Sequence, residues 1–561
     1  MKRPLILILI ALYLSACGGA ATPAPIIPPS PTVPSAPTAT LAPTATPKPI
    51  ELAHPVAPVV GLPRGTDDQP WWNDSVFYEI FVRSFADSDG DGIGDLNGLI
   101  AKLDYLKDLG ITGLWLMPIH PSPSYHGYDV TDYFAVNPQY GTLDDFKHLL
   151  NEAHQRGIRV IIDLVLNHTS DQHPWFQAAL DPKSPFRDWY VWSTTDPGQA
   201  GWHRASSGDY YYGYFTDTMP DLNYRTPAVT EQMNDVVRFW LKDVGVDGFR
   251  LDAAKYLIED GTSIQNTDAT HQWYKNFRPV YKGLNPSAMT IGEVWDIAPT
   301  SAEYAQGDQL DLTFDFGLAQ AYILAMRSGR ASEAVDALKI NRANFKPNQF
   351  GAFLSNHDQN RVMSQIGANI DKAKLGAWLY LTGPGVPFVY YGEEIGMLGK
   401  KPDEDIRLPM QWSAEANAGF TTGTPWRSVE ASYTQRNVAV ESTDPNSLLS
   451  LYRTLIGLRN QHAALRVGDV NLPQASNANV FASLRVSKDE AVLIVVNLSK
   501  DTVRDVKLTL DKSAVKAGTY RAVVMTGAAI LPDLSVNAQG GFDATLPELA
   551  GFSGVIFQLQ K

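Results

Sequence analysis

Three segments of this chain each end a strand-like run on a carboxylate: Gly248-Phe-Arg-Leu-Asp252, Thr290-Ile-Gly-Glu293 and Phe353-Leu-Ser-Asn-His-Asp358. Breaking a sugar acetal calls for such a set: an acid to protonate the departing oxygen, an anion facing the oxocarbenium-like carbon, and further groups that stabilise the transition state. Arg250 and Asp252 stand two apart in an extended run, so both side chains leave one face. The guanidinium is then expected to keep the Asp252 carboxylate ionised, which makes Asp252 the nucleophile. A single strand-end aspartate is as readily a helix cap or a loop residue. Asp163 adds a fourth carboxylate in the same phase, and four together make that reading poor.

The positioning elements follow from periodicity. Short apolar runs at 76–82, 113–117, 159–166, 248–252, 290–293, 312–316, 350–356 and 386–391 read as strands. Between them lie helical patterns: Leu96, Leu99, Ile100, Leu103, Leu106 and Leu109 before Gly110; Leu143, Phe146, Leu149, Leu150 and Ala153 after the cap Thr142; Val229, Met233, Val236, Val237, Trp240 and Leu241 after Pro227. About eight strands alternating with helices favour an α/β fold closed as a parallel (β/α)8 barrel, whose chemistry belongs at the carboxyl ends of the strands. Residues 67–168 and 226–464 would form the barrel, and 169–225 an insertion after the third strand. The insertion is crowded with Trp175, Trp189, Tyr190, Trp192, Trp202, Tyr210, Tyr211, Tyr212 and Tyr214. Flat rings suit the C–H faces of sugars, yet most of these are expected to form the insertion's own core. Beyond residue 465, β-rich runs at 480–486, 491–498, 503–510, 520–525 and 554–559 predict an antiparallel sandwich that packs on the barrel.

With 561 residues, of which 44% are hydrophobic, the chain can bury a large core. A net charge of −14 leaves no basic patch to neutralise phosphates, so a nucleic-acid partner is excluded. The single cysteine rules out an intrachain disulfide framework. Lys2 and Arg3 precede an apolar stretch from Leu5 to Tyr13 that closes on Leu14-Ser-Ala-Cys17, the pattern of an export signal. The stretch is well short of the ~20 residues that span a bilayer. Residues 18–66, rich in Pro, Ala and Thr, cannot bury apolar surface and read as an extended tether.

Six ordered segments give the chain a family resemblance. Asp163-Leu-Val-Leu-Asn-His168, Gly248-Phe-Arg-Leu-Asp-Ala-Ala-Lys255, Gly292-Glu-Val-Trp295 and Leu354-Ser-Asn-His-Asp358, joined by Gly127-Tyr-Asp129 and Met219-Pro-Asp-Leu-Asn223, resemble the signature segments of the α-amylase family, glycoside hydrolase family 13. The resemblance implies that Asp252 forms a covalent glycosyl intermediate, Glu293 serves as general acid and then base, and Asp358 stabilises the distorted sugar. It also implies that His168 and His357 bind sugar hydroxyls, Tyr128 stacks on the ring, Asp129 supports the pocket, Arg250 orients Asp252 and Lys255 reaches the reducing-side sugar. Ala253-Ala254-Lys255 resembles amylases acting on α-1,4 bonds, whereas Arg407-Leu-Pro-Met-Gln-Trp412 resembles the oligosaccharide-cleaving side of the family. The leader resembles a lipoprotein signal peptide (1–17), with Cys17 lipidated and the protein exported to the cell surface.

The loop Asp87-Ser-Asp-Gly-Asp-Gly-Ile-Gly-Asp95 sets oxygen ligands at alternate residues, but Gly98 stands where an EF-hand needs glutamate. Asp87, Asp89, Asp91, the Ile93 carbonyl and Asp95 are expected to hold a structural calcium ion; the plain alternative is an acidic turn in which Asp95 caps the next helix. The expectation is a monomeric, retaining α-glucan hydrolase of α-1,4 endo type, touching membrane only through its lipid anchor. An exo-acting α-glucosidase or neopullulanase, a 4-α-glucanotransferase and a non-catalytic glucan-binding lipoprotein stay open beside it.

Overall fold

The computed structural model describes residues 61–561. Cys17, residues 1–17 expected to form an export signal, and residues 18–60 of the expected tether lie outside the described residues. Residues 61–66, expected to end that tether, are inside them and are tied to the barrel. Pro63 is buried, and its carbonyl accepts from Arg159 Nε and Nη2 at 3.3 and 3.1 Å.

Eight strands carry the catalytic part: β1 Phe77–Ile80, β2 Gly113–Leu116, β3 Arg159–Leu164, β4 Gly248–Leu251, β5 Met289–Gly292, β6 Leu312–Thr313, β7 Gly351–Ala352 and β8 Val386–Tyr390. Successive strands pair in parallel, and β8 pairs with β1. A parallel bridge between Phe314 and Gly351 joins β6 to β7, so the sheet is a closed barrel. Several strands are shorter than the apolar runs that foretold them. At 316 a helix starts instead, because Asp315 accepts from Leu318 N at 2.9 Å. After Ala352 the chain leaves the sheet and carries His357 and Asp358 over the mouth.

Alternation explains the barrel's interior. Phe77, Trp115, Ile161, Met289, Ile291, Leu312, Phe314, Val386 and Phe388 fill its lower part as one cluster. The Phe77 and Phe388 rings stack at 4.6 Å, with Gly113 beside them, where a Cβ would meet Phe77 at 2.6 Å. Two residues further along each strand the inward series turns polar, at Glu79, Asp163, Arg250 and Glu293.

The helices shield the outer face. Thr142 caps Leu143–Gln155 in a full capping box with Asp145. The pattern 96–109 is two helices, Leu96–Ala101 and Leu103–Leu109, broken at Lys102. Pro227–Arg238 continues as a π-helical turn, Phe239–Val244, and ends at Gly245.

In the insertion, Trp192–Ser193, Trp202–Arg204 and Tyr210–Tyr212 form a small antiparallel sheet. Its rings pack mainly on one another: Trp175 on Trp189, and Phe176 on Tyr190, Trp192 and Tyr211. The C-terminal part has a six-stranded and a three-stranded sheet enclosing a core that includes Leu484, Leu493, Leu508, Leu546 and Phe557. The larger sheet turns Phe481, Val492, Ile494 and Ile556 toward Trp378 and the barrel. Among the described residues no helix is long and apolar enough to cross a membrane.

Candidate active site

β4 delivers Arg250 and, one residue past its end, Asp252; β3 delivers Asp163 and β5 is followed by Glu293. Register sets Asp163 beside Arg250. The buried guanidinium meets three carboxylates: its Nη1 lies 2.9 Å from Asp163 Oδ1 and 2.7 Å from Asp252 Oδ1, and its Nη2 lies 3.0 Å from Glu293 Oε2. It sits 5.2 and 5.8 Å from the ring centres of Trp115 and Tyr128. Ala253 is held left-handed, at φ 47°, a conformation costing an ordinary residue about 1–2 kcal/mol. In that position its N–H donates to Glu293 Oε2 at 3.0 Å, so the strained residue orients the second carboxylate.

The other side of the mouth is built on His357. Its Nδ1 lies 2.5 Å from Glu79 Oε1, and its Nε2 lies 2.6 Å from Tyr128 Oη and 3.2 Å from Asp358 Oδ2. Arg407 Nη2 donates to Asp358 Oδ1 at 2.9 Å, and its Nε to the His357 carbonyl at 2.9 Å. Tyr128 Oη donates to Asp163 Oδ2 at 3.1 Å. One path of contacts therefore runs Asp252, Arg250, Asp163, Tyr128, His357, Asp358, gathering carboxylates that lie far apart in sequence.

Charge compensation differs around this ring. Burial pushes Asp252 up to about 6, against the pull of Arg250. Desolvation outweighs the pull of the ion pair, although the group stays ionised at neutral pH. Burial also raises Glu293, Arg250 opposes, and the neighbouring Asp252 and Asp358 raise it further, so its carboxyl holds a proton more readily than a free one. For Asp358 burial loses, because His357 and Arg407 hold its carboxyl far below the usual range. His357 is lifted to about 9 despite burial, by Asp358 and Glu79, and is an imidazolium at neutral pH.

A barrel mouth with this ring of acids agrees with the comparisons. The family profile described as "Alpha amylase, catalytic domain" matches residues 79–468. The chain belongs to the α-amylase family, glycoside hydrolase family 13. Alpha-amylase 3 of Dictyoglomus thermophilum is 43% identical over 77% of this chain and 86% of its own length. Trehalose synthase/amylase TreS of Mycolicibacterium smegmatis is 36% identical over 88% of this chain and 93% of its own. The crystal structure of an alpha-amylase from H. orenii superposes with a TM-score of 0.76 at 39% identity, covering 87% of this chain and 99% of that one.

The remaining residues singled out in this family member fall in several places. His168 is buried, its ring 5.3 Å from that of the half-exposed Phe215. Its Nε2 has no partner among the described residues, and burial lowers it to about 3, so it is neutral. His357, by contrast, has both ring nitrogens engaged. Asp129 accepts from Ser122 Oγ at 2.5 Å and from Ser124 Oγ. Lys255 Nζ donates to the Trp295 carbonyl at 2.7 Å and lies 3.5 Å from Asp296. Trp295 itself is 45% exposed and stacks on Phe316 at 4.6 Å.

In the acidic loop, carboxylate oxygens of Asp87, Asp89 and Asp95 come within 4.8 Å of one another, a donor set that fits a hard cation. Asp91 lies outside that trio and accepts from Ile93 N at 2.7 Å. Asp95 also caps the next helix, through Gly98 N at 2.8 Å. A second oxygen pair sits under the insertion, where buried Asn167 Oδ1 and Asp221 Oδ2 both lack partners among the described residues. Sequence reasoning passed over Glu79, and it noted the segment 407–412 without giving Arg407 a place beside Asp358. Glu79 carried a signal, a charge inside the buried run 76–82; Arg407 carried none, since nothing local ties it to Asp358.

Proposed function

We propose that this family member is a retaining hydrolase that cuts α-1,4 bonds within starch or maltodextrin chains. The observation that carries the reading is the Arg250 guanidinium gripping Asp252 and Glu293 on adjacent nitrogens. Two carboxylates so held suit the separation of about 5–5.5 Å in retaining enzymes better than the about 6.5–9.5 Å that admits a water between them. In the first step Asp252 attacks the anomeric carbon as Glu293 protonates the departing oxygen, giving a covalent glycosyl ester and a free chain end. In the second, Glu293 takes a proton from water, the water oxygen displaces Asp252, and the configuration returns to that of the substrate. Asp358, kept anionic by His357 and Arg407, stabilises the distorted sugar. The α-1,4 choice rests on Ala253-Ala254-Lys255, and on relatives named as amylases.

A second reading, transfer of the glucosyl group to a sugar, is favoured by the exposed ring of Trp295, two residues after Glu293 in the chain, a platform on which an acceptor can stack. A time course with maltoheptaose and pullulan separates the two. Mixed intermediate lengths from maltoheptaose, with little attack on pullulan, support internal α-1,4 hydrolysis. Glucose alone from the first minutes points to exo-action, and products longer than the substrate to transfer.

We also propose that Asp87, Asp89 and Asp95 hold a structural calcium ion, and that the chain is exported and lipidated at Cys17. Elemental analysis finding no calcium, with a melting curve unmoved by chelator, would sink the first. Failure of the full-length protein to take up labelled fatty acid, with Cys17→Ser behaving alike, would sink the second.

A further inference from the structure

One wall of the insertion carries a groove that the reaction described above leaves unused. It lies between the insertion sheet and the segment after the nucleophile, with a volume of about 320 Å³, within the ~300–1,000 Å³ range of small-molecule sites. Buried Leu222, Leu257 and Ile258 form its floor. Trp202 and Tyr212, with ring centres 5.5 Å apart, form one side. Arg225 and Glu259 form the rim.

Apart from Arg225, the groove keeps polar side-chain atoms free of partners in the described chain. Glu259 is half-buried, yet its carboxylate makes no ion pair with any described residue and accepts no hydrogen bond from another side chain. The Trp202 indole N–H and the Tyr212 hydroxyl also make no hydrogen bond within the described chain, and neither is sealed from solvent. A bare carboxylate under aromatic rings would on its own suit an ammonium group. The Arg225 guanidinium opposes that, because its Nη2 donates to the Glu259 carbonyl at 2.6 Å and, with Asp260 Oδ1 3.7 Å away, places a cation on the same rim. A ligand that fits has apolar faces for the rings, hydroxyls for the carboxylate and guanidinium, and no net charge. That is the chemistry of a pyranose chain.

We infer that this groove is a second binding site for α-glucan, in which a glucosyl unit stacks on Trp202 and hydrogen-bonds Glu259 and Arg225. It rests on the glucan reading given above. A polymer held here stays beside the enzyme between cuts, so the site serves long substrates and is silent for short ones.

Affinity electrophoresis of the full chain through amylopectin gels tests this in an Asp252→Asn background, where the polymer is not digested. Trp202→Ala and Glu259→Gln should each weaken retardation about tenfold, the scale of one lost stacking or charged hydrogen-bonding contact. In the active background both should leave kcat/KM on maltotriose within about twofold of wild type, the range expected of a group that does not touch the short substrate. Unchanged retardation in both variants overturns the proposal. So does a fall in maltotriose turnover matching the fall in retardation, which would put these residues in the catalytic cleft. If Trp202→Ala does not fold, Glu259→Gln decides alone. A wild type that is retarded but hydrolyses no glucan would refute the enzymatic reading and leave this one standing.

Discussion

Two clusters of buried carboxylates, one at the barrel mouth and one behind the last strand, show how the same side chain becomes chemistry in one place and mortar in another. At the mouth, Asp163, Asp252, Glu293 and Asp358 are matched by Arg250, Arg407 and the His357 imidazolium. Behind β8, Glu393 accepts from Tyr380 and Tyr452, both at 2.8 Å, and Glu394 from Tyr78 and Tyr105 at 2.7 and 2.6 Å. Arg361 stands nearby but gives its donors to the carbonyls of Tyr391 and Ile406. Neutral hydroxyls cannot repay the desolvation of an anion, and burial pushes Glu393 up to about 8, against its tyrosine partners. Cations keep an acid reactive; phenols let it fall silent.

The sharpest way to break that contrast is to remove the reacting groups. Asp252→Asn and Glu293→Gln should each cost at least about a thousandfold in kcat while the melting temperature holds, since single losses from a catalytic unit are of that order or larger. Turnover within tenfold of wild type would contradict the assignment. Next comes the cation. Arg250→Met leaves three acids uncompensated, and removing one partner from a buried ion pair costs about 3–5 kcal/mol, which denaturant unfolding would read directly. An unchanged midpoint would show that water, not Arg250, serves these carboxylates.

The pH profile probes the mouth more gently. As the proposed nucleophile, Asp252 has to be ionised to attack, so kcat/KM should fall as pH drops through about 6, by about tenfold per unit below it. The smallest effect belongs to the rear cluster. The folded protein keeps a proton on Glu393 to about pH 8, whereas the unfolded chain loses it near 4.5, so this group's contribution to stability drains away as pH rises across that window. Glu393→Gln should flatten that part of the melting-temperature curve and change it little at pH 5. A parallel curve for the variant would mean that Glu393 is already charged in the fold.

Much of the barrel was legible because its strands are buried on both faces and bounded by clear helix signals, as at Thr142 and Gly245. Period-two alternation also aligned Asp163, Arg250 and Asp252 before any contact was known. Helix continuity at Lys102 was not legible, since 96–109 keeps one apolar stripe through the break. In the C-terminal part, the strand Phe542–Leu549 was missed because Pro547 and alternating charges mask its apolar face. The four tyrosines around Glu393 and Glu394 come from four distant segments, and no local pattern joins them.

The sequence by itself determined which atoms are available: an arginine and an acid on one face of a strand, a second acid one strand later, and a histidine beside a third. Their spacing is a property of the extended backbone and needs no partner. Only the tertiary structure decided their charges. Glu79 and Arg407 reach His357 and Asp358 from opposite ends of the barrel sequence, and burial, which depends on everything packed around a group, sets whether each proton stays or leaves.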